Sequence, residues 1–278
     1  MNPAAPQAPR PATRNQPRFH RSPALPFVEA RCAADSQACY RPHAHAEWSV
    51  GAVDAGHSRF STGGASYRLA PGDLVVIPPG QVHACNPEDR AAWGYRMLHL
   101  DAAWMEDFLA THPSGAAFAR RPWQLARDPL AYQRFDRAFS SCHERTDPAP
   151  FATALRCLLA PPGEALPAAP PATALPPAIA TVRDWLDTHC DASLPLAELA
   201  AAADLSPYQL IRRFVRHTGM TPHAYQLDRR IQRARRLLAA GTPICDTALA
   251  TGFADQSHFH RSFRERVAAT PGQYAGQR

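Results

Sequence analysis

The sequence predicts a two-domain protein: an N-terminal all-β barrel with following helices, then a C-terminal all-α domain built on two helix-turn-helix motifs. Three observations predict it. Between about Ala24 and Leu100 short alternating apolar and polar segments are broken by Gly and Pro, the pattern of an all-β sandwich or barrel. Residues 161–177 (PPGEALPAAPPATALPP) have the composition of a semi-rigid spacer. From Leu196 to Tyr274 one pattern occurs twice, and an internal repeat is weighed before any other signal. The 278 residues, 45% of them apolar, suffice for two globular cores. The divisions are 1–22, 23–160, 161–177 and 178–278.

Taken in order, residues 1–22 are rich in Pro, Ala and Arg with almost nothing to bury, and read as a disordered tail. The strand-like segments that follow include EWSVGAVDAG, HSRFSTGG, SYRLAPGD, LVVIPPG and WGYRMLHL. Residues 101–159 change to helical periodicity. DAAWMEDFLATH turns Trp104, Met105 and Phe108 inward. PLAYQRFDRAFSSCHER (129–145) places Leu130, Phe135, Phe139 and Cys142 near one face, and PFATALRCLLA (150–160) does so with Phe151, Leu155, Leu158 and Leu159. After the spacer, IATVRDWLDTHC (179–190) opens the second domain with Ile179, Val182, Trp185 and Leu186 packing inward.

The repeat aligns Leu205 with Phe253 at an offset of 48, and Leu210/Phe259, Phe214/Phe263, Thr221/Thr270 and Tyr225/Tyr274 at 49. In the second copy Thr247 to Ala250 is a short helix stopped by Gly252, and Asp255 caps a helix from Gln256 to Arg266. The first copy uses Ser206 as cap and Pro207 at the first helical position. Phe259 and Phe263, like Leu210 and Phe214, lie four apart on a buried face. The open faces carry Tyr208, Gln209, Arg212, Arg213 and Arg216 in one copy, and Gln256, Ser257, His260, Arg261 and Arg264 in the other. Arg presents a fork to guanine and Gln pairs with adenine, so these faces suit helices lying in a DNA major groove.

The runs ATGFADQSHFHRSF (250–263) and GMTPHAY (219–225) resemble the DNA-binding domain of AraC-type (AraC/XylS) bacterial transcription regulators. The resemblance implies two recognition helices in successive major grooves of double-stranded DNA, joined by a rigid helix at 222–239 with Ile231, Ala234 and Leu238 on its apolar stripe. By motif position the base readers are Tyr208, Gln209, Ile211 and Arg212, then Gln256, Ser257, His260 and Arg261. Two residues depart from the motif: Asp204 and Ala268 stand where Gly is usual.

The run GDLVVIPPGQVH (72–83) resembles the second cupin motif through Gly72, Pro78, Gly80 and His83, and His43-x-His45-x-Glu47 is part of the first. In AraC-type regulators such a cupin-like barrel commonly binds a small-molecule effector. Residues i, i+2 and i+4 of a strand share one face, so His43, His45 and Glu47 are expected to point together, with His83 brought beside them. Three imidazoles and a carboxylate suit a divalent transition metal, and the alternative is then a metal-responsive regulator whose effector is the metal held by His43, His45 and His83. The same groups, with Trp48, Trp93, Tyr95 and Arg41, suit an organic effector. Glu47 sits closer to the histidines than in metal-dependent cupins, and a cupin oxidase or isomerase would leave the duplicated helical pattern unexplained. The expected protein is therefore a regulator and not an enzyme. The family implies an activator that meets RNA polymerase, and a homodimer whose seam is drawn from the helices of 101–159.

Composition agrees. All thirty basic residues are Arg, the formal charge is +6, and residues from 176 onward hold 13 Arg against 9 Asp and Glu, or +4. Seven scattered cysteines (32, 39, 85, 142, 157, 190, 245) without a CxxC pair indicate free thiols in a reducing compartment, with redox sensing at Cys32, Cys39 or Cys85 as an alternative. No run approaches a membrane span or a signal core, so a cytoplasmic protein is expected.

Overall fold

The computed structural model describes residues 16–119, 123–142, 147–159 and 174–276. The N-terminal half runs through β1 (Arg18–Ser22), β2 (Leu25–Ser36), β3 (Trp48–Ala55), β4 (Ser58–Thr62), β5 (Ala65–Leu69), β6 (Leu74–Ile77), β7 (His83–Pro87) and β8 (Trp93–Leu100). It continues with α1 (Ala102–Ala110), α2 (Gly115–Ala119), β9 (Gln124–Ala126), α3 (Pro129–Ser141) and α4 (Ala149–Leu159). Two antiparallel sheets result, in the orders β1-β2-β8-β3-β6-β9 and β5-β4-β7.

β3 and β8 lie in the middle of the large sheet, and their two-residue alternation divides them between two cores. Trp48, Val50, Ala52, Leu98 and Leu100 meet Met105, Phe108, Phe135, Phe151 and Leu155 of the helices. Val53, Trp93 and Tyr95 pack with Phe60, Leu69, Ile77 and Trp123 of the other cluster. The helices thus cover one face of the large sheet, as their periodicity predicts, although Leu130 is 50% exposed and not part of the buried face.

Two expectations need correction. Arg18–Ser22, expected in the tail of 1–22, form β1 against β2, while residues 1–15 lie outside the described residues. Phe19 is the reason: it is buried and meets Tyr274 edge-on at 4.9 Å, so this strand buries an aromatic ring after all. His43, His45 and Glu47 do not lie on a strand. They sit in the connection between β2 and β3, which meets β7 at an isolated bridge, His43 to His83, and through Tyr40 bonded to Asn86. The spacer expected at 161–177 falls outside the described residues up to 173, and Pro177 already begins a helix.

The C-terminal half is α5 (Pro177–Thr188), α6 (Leu196–Ala202), α7 (Pro207–Thr218), α8 (Pro222–Ala239), α9 (Ile244–Ala250), α10 (Gln256–Val267) and α11 (Pro271–Ala275). α9 starts three residues earlier than its alanines suggest, after Pro243. Helices α6–α7 and α9–α10 form the two helix-turn-helix units, and α8 packs against both. Ile231, Ala234 and Leu238 of α8 are fully or almost fully buried. Ser206 caps α7 in a capping box with Gln209, and the Asp255 carboxylate accepts from His258 N at 2.7 Å to cap α10. Trp185 is only partly buried, at the edge of the first unit's core.

Gly252 is required in the second turn, with φ of +75° and a position where a Cβ would fall 2.1 Å from the Asp191 carbonyl oxygen. Asp204 and Ala268 adopt the left-handed region that the usual glycines would, at φ of 53° and 57°. Ala has no side-chain hydrogen bond to offset this conformation, so Ala268→Gly is expected to stabilise the chain by about 1 kcal/mol. The corresponding rise in Tm is about 2–4 °C; a fall in Tm would refute the assignment of strain.

Candidate DNA interface and ligand cavity

The faces expected to read DNA are open. Tyr208 is 69% exposed. Gln209, Arg212, Gln256, Ser257 and Arg261 are also exposed, while Ile211 and His260 are half-buried. The Arg212 guanidinium lies 5.7 Å from the Tyr208 ring centroid, which holds the side chain along the helix. Gln209 is partly committed, since its Oε1 accepts from Ser206 N at 3.0 Å. Among the described residues no ion pair engages Arg212, Arg213, Arg216, Arg261 or Arg264.

The arginines of α8 are the opposite case. Arg230 donates to the carbonyls of Cys190, Gly252 and Ala192 at 2.6, 2.7 and 2.9 Å, tying the connection between α5 and α6 to the second turn. Arg229 pairs with the buried Asp228, and Arg233 with Asp191. One set of cations therefore braces the connector while the other remains available for phosphates and bases.

Inside the barrel a cavity of about 40 Å³ is lined by Arg31, Tyr40, His43, His45, His83, Cys85, Trp93, Tyr95, Met97 and His99. The fold thus brings together three of the four expected first-choice residues and leaves one aside. His43, His45 and His83 are buried and each offers a ligand atom within 4.8 Å of the others. Glu47 instead lines a neighbouring cleft with Glu29, Arg235 and Tyr274. Trp48 is core, packed against Phe118. Tyr95 does line the cavity, and its hydroxyl lies 2.8 Å from that of Tyr40. Arg41 is exposed and pairs with Glu265.

Burial first, then nearby cations, pushes His43 down to about 4, and burial with the neighbouring His43 pushes His83 down to about 3. His45 and His99 also fall well below the usual imidazole range by burial, joined by neighbouring histidines and Arg235. All four rings are neutral at pH 7. Burial pushes the Cys85 thiol up to about 12 and raises Cys32, which disfavours the thiolate at both.

Sequence reasoning missed what surrounds the cavity. Arg31 donates to Tyr40 Oη at 2.6 Å and to the Val267 carbonyl, at the C-terminus of α10, at 3.0 Å. Arg235 of α8 donates to His45 Nδ1 at 3.1 Å and to Glu29 at 2.8 Å. Asp228 accepts from Ala44 N at 3.2 Å. The cavity wall is thus in direct contact with the connector and with one recognition helix. These contacts join residues roughly two hundred positions apart, and no local pattern announces them.

A β-barrel with a polar cavity joined to paired helix-turn-helix units defines a DNA-binding transcription regulator with a ligand-binding domain. Residues 28–159 match the family model described as an AraC-like ligand binding domain, and residues 199–277 match one described as a helix-turn-helix domain. The chain belongs to the AraC-type transcription regulators. It is 24% identical over 233 residues to the uncharacterized HTH-type transcriptional regulator YbfI of Bacillus subtilis, covering 78% of this chain and 80% of that one. It is 28% identical over 216 residues to the MmsAB operon regulatory protein of Pseudomonas aeruginosa, covering 75% and 67%. In fold it is similar to ToxT of Vibrio cholerae, with a TM-score of 0.56 at 10% identity over 90% of this chain and 98% of that one. A structure of ToxT with a bound unsaturated fatty acid aligns over 94% of both chains, also with a TM-score of 0.56. No helix among the described residues is long and apolar enough to cross a membrane.

Proposed function

We propose that this chain is a sequence-specific transcription activator, acting in the cytoplasm without enzymatic activity, whose DNA affinity is set by a small ligand in the histidine-lined cavity. The observation that carries the reading is the division of arginines between the two helical faces and the connector. Tyr208, Gln209, Ile211 and Arg212 of α7 would read one major-groove segment, and Gln256, Ser257, His260 and Arg261 of α10 a second. α8 is 18 residues long. That is about 27 Å of rigid spacer, comparable with the roughly 34 Å between successive major grooves on one face of DNA.

Ligand control follows from the same contacts. A ligand that disturbs Arg31 or His45 also disturbs the contacts to Val267 and Arg235, and so favours one relation of the two domains over another. The barrel also flanks α10 directly: Ala38 and Cys39 share a groove with His260, Arg261 and Arg264. DNA engagement by α10 is thus sensitive to where the barrel sits. A homodimer paired through α3 and α4, and contact with RNA polymerase, complete the proposal.

The size of the cavity bears on the ligand. Organic ligands of drug size occupy roughly 300–1,000 Å³, far above the cavity's 40 Å³. A fatty acid such as that bound by ToxT would enter only after the barrel opened. In vitro selection of DNA by the full chain tests the DNA reading. The expected product is a bipartite site with its two halves about 10 base pairs apart, and a single short element bound by α7 alone would overturn it.

A further inference from the structure

The histidines of the cavity are arranged to hold a cation. His43 Nδ1 lies 2.8 Å from the Arg41 carbonyl, and His83 Nδ1 lies 2.9 Å from the Gln81 carbonyl. A carbonyl only accepts, so both rings carry their proton on Nδ1 and keep the lone pair on Nε2. Backbone-fixed tautomers of this kind are what orient histidines that bind metal. The rings face each other, with centroids 4.5 Å apart for His43 and His83 and 4.9 Å for His43 and His45. A tetrahedral ion with bonds of about 2.1 Å needs donors roughly 3.4 Å apart, so the three donors, now within 4.8 Å, would close inwards around it. The cavity of about 40 Å³ has room for the ion and a water as fourth ligand.

His45 differs from the other two. Its Nδ1 faces Arg235 Nη1 at 3.1 Å, and a guanidinium only donates, so this lone pair is already used and the ring proton is on Nε2. A neutral imidazole has one lone pair. A metal at Nδ1 takes the pair that Arg235 uses. A metal at Nε2 moves the ring proton to Nδ1, where it meets the Arg235 N–H head-on. We propose that His43, His45 and His83 bind a divalent first-row transition metal, and that metal on His45 is incompatible with its hydrogen bond from Arg235. The ligand of the regulator proposed above would then be the metal itself, an inference that rests on that reading. Arg235 is not stranded by the exchange. It keeps Glu29 at 2.8 Å, and Glu47 lies 3.9 Å away with a buried Oε2 that has no hydrogen-bond partner among the described residues. Metal would thereby move a side chain of α8 from the barrel's histidine to its rim carboxylate.

The test uses the full chain, freed of metal by chelation and dialysis, titrated with Co²⁺ and then Zn²⁺. One Co²⁺ per chain with visible absorption bands of a low-coordinate nitrogen site, displaced by Zn²⁺, is expected. His83→Gln should weaken binding at least tenfold. Arg235→Leu, which removes the competing donor, should tighten it several-fold. Absence of Co²⁺ bands in the wild-type chain overturns the site, whatever the variants do. Binding that is unchanged or weaker in a folded Arg235→Leu overturns the competition. DNA selected in vitro is then titrated with metal-free and Zn²⁺-loaded chain, and a changed affinity is expected. A chain that binds selected DNA but no metal defeats this inference and leaves the regulator reading intact. A chain that binds metal but selects no DNA defeats the regulator reading instead.

Discussion

Glu29→Ala is expected to destabilise the folded chain by about 3–5 kcal/mol, the range for removing one partner of a buried ion pair. Its carboxylate, 12% exposed, takes charge-assisted bonds from Arg235 Nη2 and from Arg21 Nε, each at 2.8 Å. It also accepts from the Tyr274 hydroxyl at 2.7 Å. One side chain on β2 therefore holds α8, α11 and β1 together, and its loss leaves the buried Arg235 with only the more distant Glu47, 3.9 Å away, as counter-ion. A fall in Tm of about 6–20 °C is expected from this loss, and a change of under two degrees would refute the role. The acid response supplies a second readout. Burial alone would raise this carboxyl, but Arg235 and Arg21 override it and hold it at about 2, below its ordinary 4.5. A depressed carboxylate stabilises above its unfolded value, and that contribution is lost as pH falls through the folded one. The Tm difference between wild type and Glu29→Gln should therefore be full at pH 6 and shrink from pH 4.5 toward pH 2.

Loss of the two uncommitted arginines, Arg212→Ala with Arg261→Ala, is expected to weaken specific DNA binding by about 2–6 kcal/mol, at about 1–3 kcal/mol for each good base contact. The two residues lie in separate recognition helices and share no partner, so their effects should add. The more diagnostic measurement is the base preference. Arg261→Ala should flatten preference at one position of the α10 half-site and leave the α7 half-site unaltered. Uniform weakening across all sequences would make these arginines phosphate contacts and not base readers. Neither substitution should disturb folding, since both side chains are exposed and outside any ion pair among the described residues.

The C-terminal domain was almost wholly legible in the residues, because its determinants are local. Caps such as Ser206 and Asp255, the required Gly252 and the spacing of Phe259 and Phe263 all act within one or two helical turns. The barrel was legible as a class, but β1 was not. A strand of five residues with one buried ring carries too weak an alternation to be distinguished from a tail of Pro and Arg. The His-x-His-x-Glu run illustrates the limit differently. Strand periodicity was the wrong reason for grouping His43, His45 and Glu47, since the run lies on a connecting segment that brings the two histidines to His83 at an isolated bridge and carries Glu47 away toward Arg235.

What the sequence by itself determined is the set of parts: two helix-turn-helix units in register, a connector of known length, and a barrel supplied with histidines. What only the tertiary structure decided is how those parts touch. Glu29 with Arg235, Asp228 with the Ala44 amide, and Arg31 with the Val267 carbonyl are separated by 206, 184 and 236 positions along the chain. Each is a charged or polar group whose type alone is compatible with a solvated surface. Its burial and its partner are set by how the two domains pack, and the coupling of cavity to recognition helix exists only in that packing.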